Sequence, residues 1–190
     1  AGRQIARISS LLSGSVSFIG VYGDLEAAGN IIDTLDALEE RPGLILANVA
    51  PRNGEAKKGP NGTPFGYFWY KNVLVLSSIN GLTLSLVKKF KLTKFVTILD
   101  VSKTLDQLIA DGALQKNLKT SITKTQFRSF DFLPRVVTHL VKGKNLKGEK
   151  LHTEDIPDAP SAIWWIDNFG NCKTTMFLSD IAVRTDETIK

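Results

Sequence analysis

The sequence predicts an α/β fold, with a layered, mostly parallel sheet flanked by helices and followed by a short β segment. Apolar runs of strand length, such as residues 44–49, alternate with segments whose apolar residues recur at helical spacing. Continuous apolar runs are typical of strands buried on both faces of a parallel sheet. Residues 161–190 contain strand patterns only, so we expect them to form the β segment.

The N-terminal part of the chain predicts a helix at residues 2–12 and a strand at residues 15–22. Asp24 can cap the next helix, whose pattern ends at a Pro-Gly pair, residues 42–43. A strand at residues 44–49 follows. The apolar face of the Asp24 helix consists of Ala27, Ala28, Ile31, Ile32, Leu35 and Leu38.

The middle of the chain begins with a loop, residues 51–64, that is rich in Gly, Pro, Asn and Lys. A hairpin follows, with its turn at Lys71 and Asn72 and its strands at residues 65–70 and 73–77. The remaining elements are a turn at 78–81, a helix at 82–90, a strand at 95–99, helical structure within 105–118, and a helix at 132–141 with Pro134 in its first turn.

The predicted domain boundary is a polar connector, residues 142–160, that carries lysines and prolines. We expect an α/β domain over residues 1–150, a linker over residues 151–160 and a partial β domain over residues 161–190.

Composition narrows the class of protein. A net charge of +5 is mildly basic and favours anionic partners without requiring nucleic acid. A single cysteine, Cys172, excludes an intrachain disulfide, and two histidines make a histidine-rich metal site unexpected. No apolar run has the roughly 20 residues of a membrane span, and no secretory signal is visible, so the expected location is the cytoplasm.

Residues 163–171 combine a strand with an unusual turn. The apolar run 163–166 leads into Asp-Asn-Phe-Gly-Asn, and the chain returns as a strand at residues 174–178. Gly170 can adopt the positive φ of a tight turn. The carboxylate and amides at Asp167 and Asn171 either satisfy the backbone of an ordinary hairpin or form a rim that holds a ligand.

This turn resembles the Ile-Asp-x-Phe-Gly-Asn-x-x-Thr-Asn signature of the S-adenosylmethionine (SAM) hydroxide adenosyltransferase family, which is related to the fluorinases and chlorinases. A looser resemblance extends over residues 2–54, 75–82 and 127–143 and includes Asp131, His139, Leu140 and Gly143. It implies that residues 161–190 are the start of a C-terminal β-barrel. It also implies that the chain is truncated at both ends.

The resemblance assigns ligand contacts and a catalytic set. Asp167 would face the methionine ammonium and Asn171 the adenine edge, Phe169 would shape the turn, and Asn80 would touch the ligand or only make its own turn. No cofactor is implied beyond SAM itself, as substrate or ligand. The assembly implied is a homotrimer with SAM or adenosine bound between subunits, without membrane or nucleic acid.

The family's catalytic Asp, Arg and His are not preserved. Their positions fall at Ala50, at Lys58 or its neighbour Lys57, and at Arg128. Alanine cannot orient water, and lysine lacks the planar fork of arginine.

Three functions therefore stay open. The protein could bind SAM and hydrolyse it to adenosine and L-methionine. It could be a non-catalytic relative that binds an adenosyl ligand or only assembles. It could instead be a basic nucleic-acid-binding module, given the lysine-rich runs at residues 88–94 and 142–147, although no nucleic-acid motif accompanies them.

Overall fold

Helices and strands alternate over the described part of the chain. A computed structural model describes residues 2–49 and 63–180. The helices are α1 (Gly2–Leu11), α2 (Asp24–Ala37), α3 (Ser85–Lys89), α4 (Val101–Ala110), α5 (Lys119–Lys124), α6 (Arg128–Asp131) and α7 (Leu133–Val141). The strands are β1 (Gly43–Ala47), β2 (Phe65–Tyr70), β3 (Val73–Ser78), β4 (Phe95–Leu99), β5 (Glu149–His152), β6 (Ile163–Ile166) and β7 (Cys172–Thr174).

The main sheet is mixed. Its five strands lie in the order β1-β3-β2-β4-β5, and only β1 and β3 pair in parallel among the described strands. The prediction of a mostly parallel sheet is therefore wrong. The hairpin turn at Lys71 and Asn72 is confirmed, and a two-residue turn joins antiparallel neighbours only. β4 and β5 then extend the sheet on the β2 side, again antiparallel.

Helices cover both faces of the sheet. Alternate residues of the β2–β3 hairpin point to opposite faces, because the side-chain period of a strand is two. One face packs against α4, α5 and α7 through a core that includes Phe65, Tyr67, Leu74 and Leu76. The other face packs against α2 and α3 through a core that includes Phe68, Val73 and Val75.

The polar connector contributes a strand to the sheet. Residues 149–152 form β5, which pairs with β4 along the sheet edge. The buried Tyr67 hydroxyl donates to the carbonyl of Leu146 at 2.9 Å, so the chain leading into β5 is tied to the core. The predicted linker at residues 151–160 thus begins inside this strand.

The strand predicted at residues 15–22 does not form. No strand pairing includes these residues in the described ranges, and Phe18 and Ile19 are exposed. The content of β-branched and aromatic residues is only a preference, and a strand also needs a partner edge.

The C-terminal hairpin forms, with a shorter return strand than predicted. β6 and β7 pair antiparallel as a two-stranded sheet, and β7 ends at Thr174. The described residues contain no barrel.

Candidate functional site

The turn at residues 167–171 joins β6 to β7 and has the predicted geometry. The backbone N–H of Asp167 donates to the carbonyl of Asn171 at 3.0 Å, and the N–H of Gly170 donates to the carbonyl of Asp167 at 3.1 Å. Gly170 has φ +87°, which glycine adopts without steric cost.

The carboxylate of Asp167 organises this turn. Its Oδ1 accepts the backbone N–H groups of Phe169 and Asn171, each at 2.8 Å, and its Oδ2 accepts Nδ2 of Asn171 at 2.8 Å. The Asn171 side chain and then the backbone donors hold the pKa of Asp167 below its usual value. An ionised carboxylate is therefore fixed at the tip of the hairpin.

We expect the carboxyl group of Asp167 to titrate below 3.8, its ordinary pKa, in an NMR titration of the Phe169 and Asn171 amides. Because the folded-state pKa is lowered, the ionised Asp167 stabilises the folded protein. This stabilisation is fully present above the unfolded-state pKa and is lost as pH falls through the folded-state pKa. In an Asn171→Ala variant the pKa should return toward 3.8, because the Asn171 side chain is the largest cause of the shift. An unchanged pKa in that variant would contradict the assignment.

The other described residues implied by the resemblance belong to other elements. Asn80 lies in the loop between β3 and α3, where the Asp24 carboxylate accepts the N–H of Leu82 at 2.7 Å. Asp24 thus ties α2 to this loop, and the N-cap of α2 is Gly23. Ala50, Lys57 and Lys58 lie outside the described residues.

The side chain of Arg128 contacts residues at the start of β2. Its guanidinium donates to the carbonyl of Thr63 at 2.7 Å and lies over the Phe65 ring, 5.2 Å from the centroid. Burial lowers its pKa. Phe65 belongs to the sheet face that α4, α5 and α7 cover, whereas the hairpin packs on α2 over the opposite face. Within one subunit, Arg128 and Asp167 therefore lie on opposite sides of the sheet.

The hairpin is docked on α2 through Trp164 and Lys173. The Trp164 ring lies so close to Gly29 that a Cβ built there would be 2.3 Å from ring atoms. Lys173 pairs with Asp33 of α2 and lies over the Trp165 ring, 5.1 Å from its centroid. These contacts position the turn relative to the body of the protein.

A cavity of about 340 Å³ lies where the hairpin meets α2 and α3. Sequence reasoning missed it, because Asp33 and Lys173 are 140 residues apart and neither carries a local signal. The turn itself does not line the cavity. The lining residues are Gly29, Ile32, Asp33, Leu86, Phe90, Trp164, Lys173 and Thr174.

Four large apolar side chains of the hairpin and its turn are exposed. Contiguous exposed apolar side chains are typical of surfaces that another molecule covers. The exposed fractions are 53% for Ile163, 42% for Trp165, 57% for Ile166 and 85% for Phe169.

Two further features of the described residues limit other kinds of site. The described residues contain no group of His, Cys, Asp and Glu side chains arranged to hold a metal ion. Over the same ranges, the helices are too short or too polar to cross a bilayer.

None of the known protein-family models matches the sequence, and no curated protein matches it. A crystal structure of an uncharacterized conserved protein from Thermotoga maritima is similar in fold, with a TM-score of 0.59 and 14% sequence identity. The similarity covers 92% of this chain, whereas this chain spans 65% of the Thermotoga protein. At that identity, the similarity shows the mixed α/β fold alone.

Proposed function

We propose that this protein is a divergent SAM hydroxide adenosyltransferase-like protein that binds SAM, or a related adenosyl sulfonium, at the turn of residues 167–171. In this proposal the catalytic activity is weak or absent. The observation that carries the proposal is the fixed, ionised carboxylate of Asp167 beside an exposed aromatic rim.

The hydrogen bonds of the turn leave capacity for a ligand. A carboxylate has about four acceptor positions, and the turn occupies three of those of Asp167. The remaining position suits the ammonium of a methionine moiety. Asn171 keeps an amide oxygen and a second N–H, which suit the donor and acceptor edge of adenine.

A second subunit would complete this site. The turn is at the tip of an exposed apolar hairpin and has no walls of its own. In the homotrimer that the resemblance implies, Trp165 and Phe169 would be covered by a neighbouring subunit, and the ligand would be enclosed between them. Water would then be excluded from the ammonium–carboxylate pair, which strengthens it.

The absence of efficient hydrolysis follows from the residues at the family's catalytic positions. Ala50 offers no polar group, and Arg128 is held by Thr63 and Phe65. The sulfonium is a good leaving group, so what is missing is a group that orients water.

Calorimetry with SAM tests the binding site through Asp167→Asn. Asparagine can keep the turn, since its amide oxygen accepts the same backbone N–H groups, but it removes the charge. We expect affinity to fall by roughly tenfold or more, the value of one charge-assisted hydrogen bond. Asp167→Ala should weaken binding further, because it also removes the turn's hydrogen bonds.

The matched control is Asp36→Asn on the exposed surface of α2, which removes the same charge away from the turn. It should leave affinity unchanged. The site is refuted if the unaltered protein shows no heat with millimolar SAM, or if Asp167→Asn binds as tightly as Asp36→Asn.

A nucleoside-release assay on the SAM-bound protein separates binding from catalysis. We expect no adenosine above the uncatalysed background. If the protein releases adenosine and the Asp167→Asn variant releases less, the protein is a SAM hydrolase.

A further inference from the structure

Two arginines of α1 converge on one aromatic ring of α6. The guanidinium carbon of Arg3 lies 4.5 Å from the centroid of the Phe130 ring, and that of Arg7 lies 4.3 Å from it. The two cations are therefore no farther apart than the sum of those distances. Stacking on a ring uses the flat faces of a guanidinium and leaves its N–H edges free to donate.

A third arginine adds to the positive charge. Nε of Arg135 on α7 donates to the carbonyl of Asp131 at 3.1 Å. Burial lowers the pKa of Arg135, and the charge of Arg7 lowers it further, while Asp131 opposes this. The carboxylate of Asp131 accepts the hydroxyl of Thr125 at 2.7 Å.

This arginine cluster, Arg3, Arg7 and Arg135, has no ion pair with a carboxylate within residues 2–49 and 63–180. The helix α1 has no acidic residue. Asp131 offsets only part of this positive charge, so the arginines still repel one another, and a bound anion relieves that repulsion. Two members of the cluster, Arg3 and Arg7, line a groove of about 260 Å³ together with Ala6, Ser10 and Phe130.

We propose that this groove binds a small ligand with two or more adjacent phosphoryl groups, such as inorganic polyphosphate or the phosphate chain of a nucleotide. Planar guanidinium forks bind phosphoryl oxygens in bidentate fashion, and the shared contact with the Phe130 ring keeps Arg3 and Arg7 near each other.

A small anion fits this surface better than a nucleic acid does. The lysine-rich run at residues 88–94 does not extend the positive surface freely. Lys88 donates to the carbonyls of Glu154 and Ile156, and Lys89 pairs with Asp180. Two of the four lysines in that run are therefore already engaged, whereas the groove is a compact site.

The phosphoryl site is independent of the Asp167 turn. The arginine cluster lies on α1 and α7, and α7 packs on the sheet face opposite to the face covered by α2. Loss of either site should therefore leave the other intact, and each proposal can fail alone.

Calorimetry with inorganic tripolyphosphate, pyrophosphate and orthophosphate at physiological ionic strength tests the proposal. We expect affinity to fall in that order, because fewer phosphoryl groups engage fewer guanidiniums. The double variant Arg3→Gln, Arg7→Gln should bind tripolyphosphate at least about tenfold more weakly. The matched control, Lys144→Gln with Lys147→Gln, removes the same charge from an exposed segment and should change affinity little.

The Arg7→Lys variant distinguishes a loss of binding from a loss of folding. It keeps the charge and replaces the fork, so it should weaken tripolyphosphate binding by a few-fold with an unchanged thermal melt. ATP that binds more tightly than tripolyphosphate identifies a nucleotide ligand, and equal affinity identifies free polyphosphate. The proposal is overturned if tripolyphosphate gives no binding, if both double variants lose affinity equally, or if only a single-stranded oligonucleotide binds.

Discussion

Replacing Gly148 with alanine is expected to detach β5 from the edge of the sheet and to lower the free energy of unfolding by about 3 kcal/mol. A Cβ at this position would lie 2.1 Å from the carbonyl oxygen of Ile98 and 2.8 Å from Cγ2 of Thr97. The first of these is backbone within β4, so it cannot rotate away. The β5 strand must move instead, and its pairing with β4 and the nearby Tyr67–Leu146 hydrogen bond move with it.

Chemical denaturation measures the loss, and hydrogen exchange localises it to the amides of β4 and β5. Gly20→Ala is the matched control. A Cβ there meets only one side-chain atom at 3.8 Å, and the residue is exposed, so we expect a change below about 0.5 kcal/mol. Equal denaturation midpoints for the two variants would show that β5 is not seated as described.

Replacing Gly29 with alanine is expected to push the hairpin off α2, although alanine is the better helix former. Inside a helix this change alone would stabilise by up to about 1 kcal/mol. Here the added methyl group would overlap three atoms of the Trp164 ring at 2.3–2.5 Å. Overpacking of this kind costs about 1–3 kcal/mol, so the overlap outweighs the helix propensity. We expect a net loss of stability and a red shift of tryptophan fluorescence.

A double-mutant cycle with Trp164→Ala isolates the contact. Once the ring is removed, Gly29→Ala should become neutral or stabilising, because only the helix propensity remains. The same destabilisation in both backgrounds would mean that the ring is not responsible. SAM affinity, if the turn binds it, should also fall in Gly29→Ala, since the undocked hairpin no longer positions Asp167.

The resemblance to the adenosyltransferase family now depends on the turn and not on the sheet. The expected sheet was mostly parallel, and the described sheet is mixed. The turn itself matches both of the interpretations drawn from its sequence, because the hydrogen bonds of Asp167 satisfy the backbone and also fix an ionised carboxylate. Calorimetry with SAM on the Asp167→Asn variant decides between them.

Some elements could be predicted because their signal is local. The Pro134 position at the start of α7 and the Lys71–Asn72 turn are examples. Other signals were local but overlooked. Helix α4 begins four residues before the predicted position, because Asp100 caps it by accepting the N–H of Lys103 at 2.8 Å.

Other elements had no local signal. The sequence of β5 is mostly polar and predicts a connector, and it becomes a strand because β4 has an open edge beside it. Residues 15–22 show the reverse, since their composition favours a strand and no partner edge meets them in the described structure. The arginine cluster is likewise assembled from α1 and α7, which are distant in sequence.

The amino-acid sequence by itself determined helices α1, α2, α3 and α7, the β2–β3 hairpin and the closed turn around Asp167, since each depends on dihedral preferences and hydrogen bonds within a few residues. The tertiary structure alone decided the mixed strand order, the packing of Trp164 on Gly29 and the gathering of Arg3, Arg7 and Arg135. These depend on which surfaces meet when the chain folds, and the free energy of such contacts belongs to pairs of distant residues that no local pattern encodes.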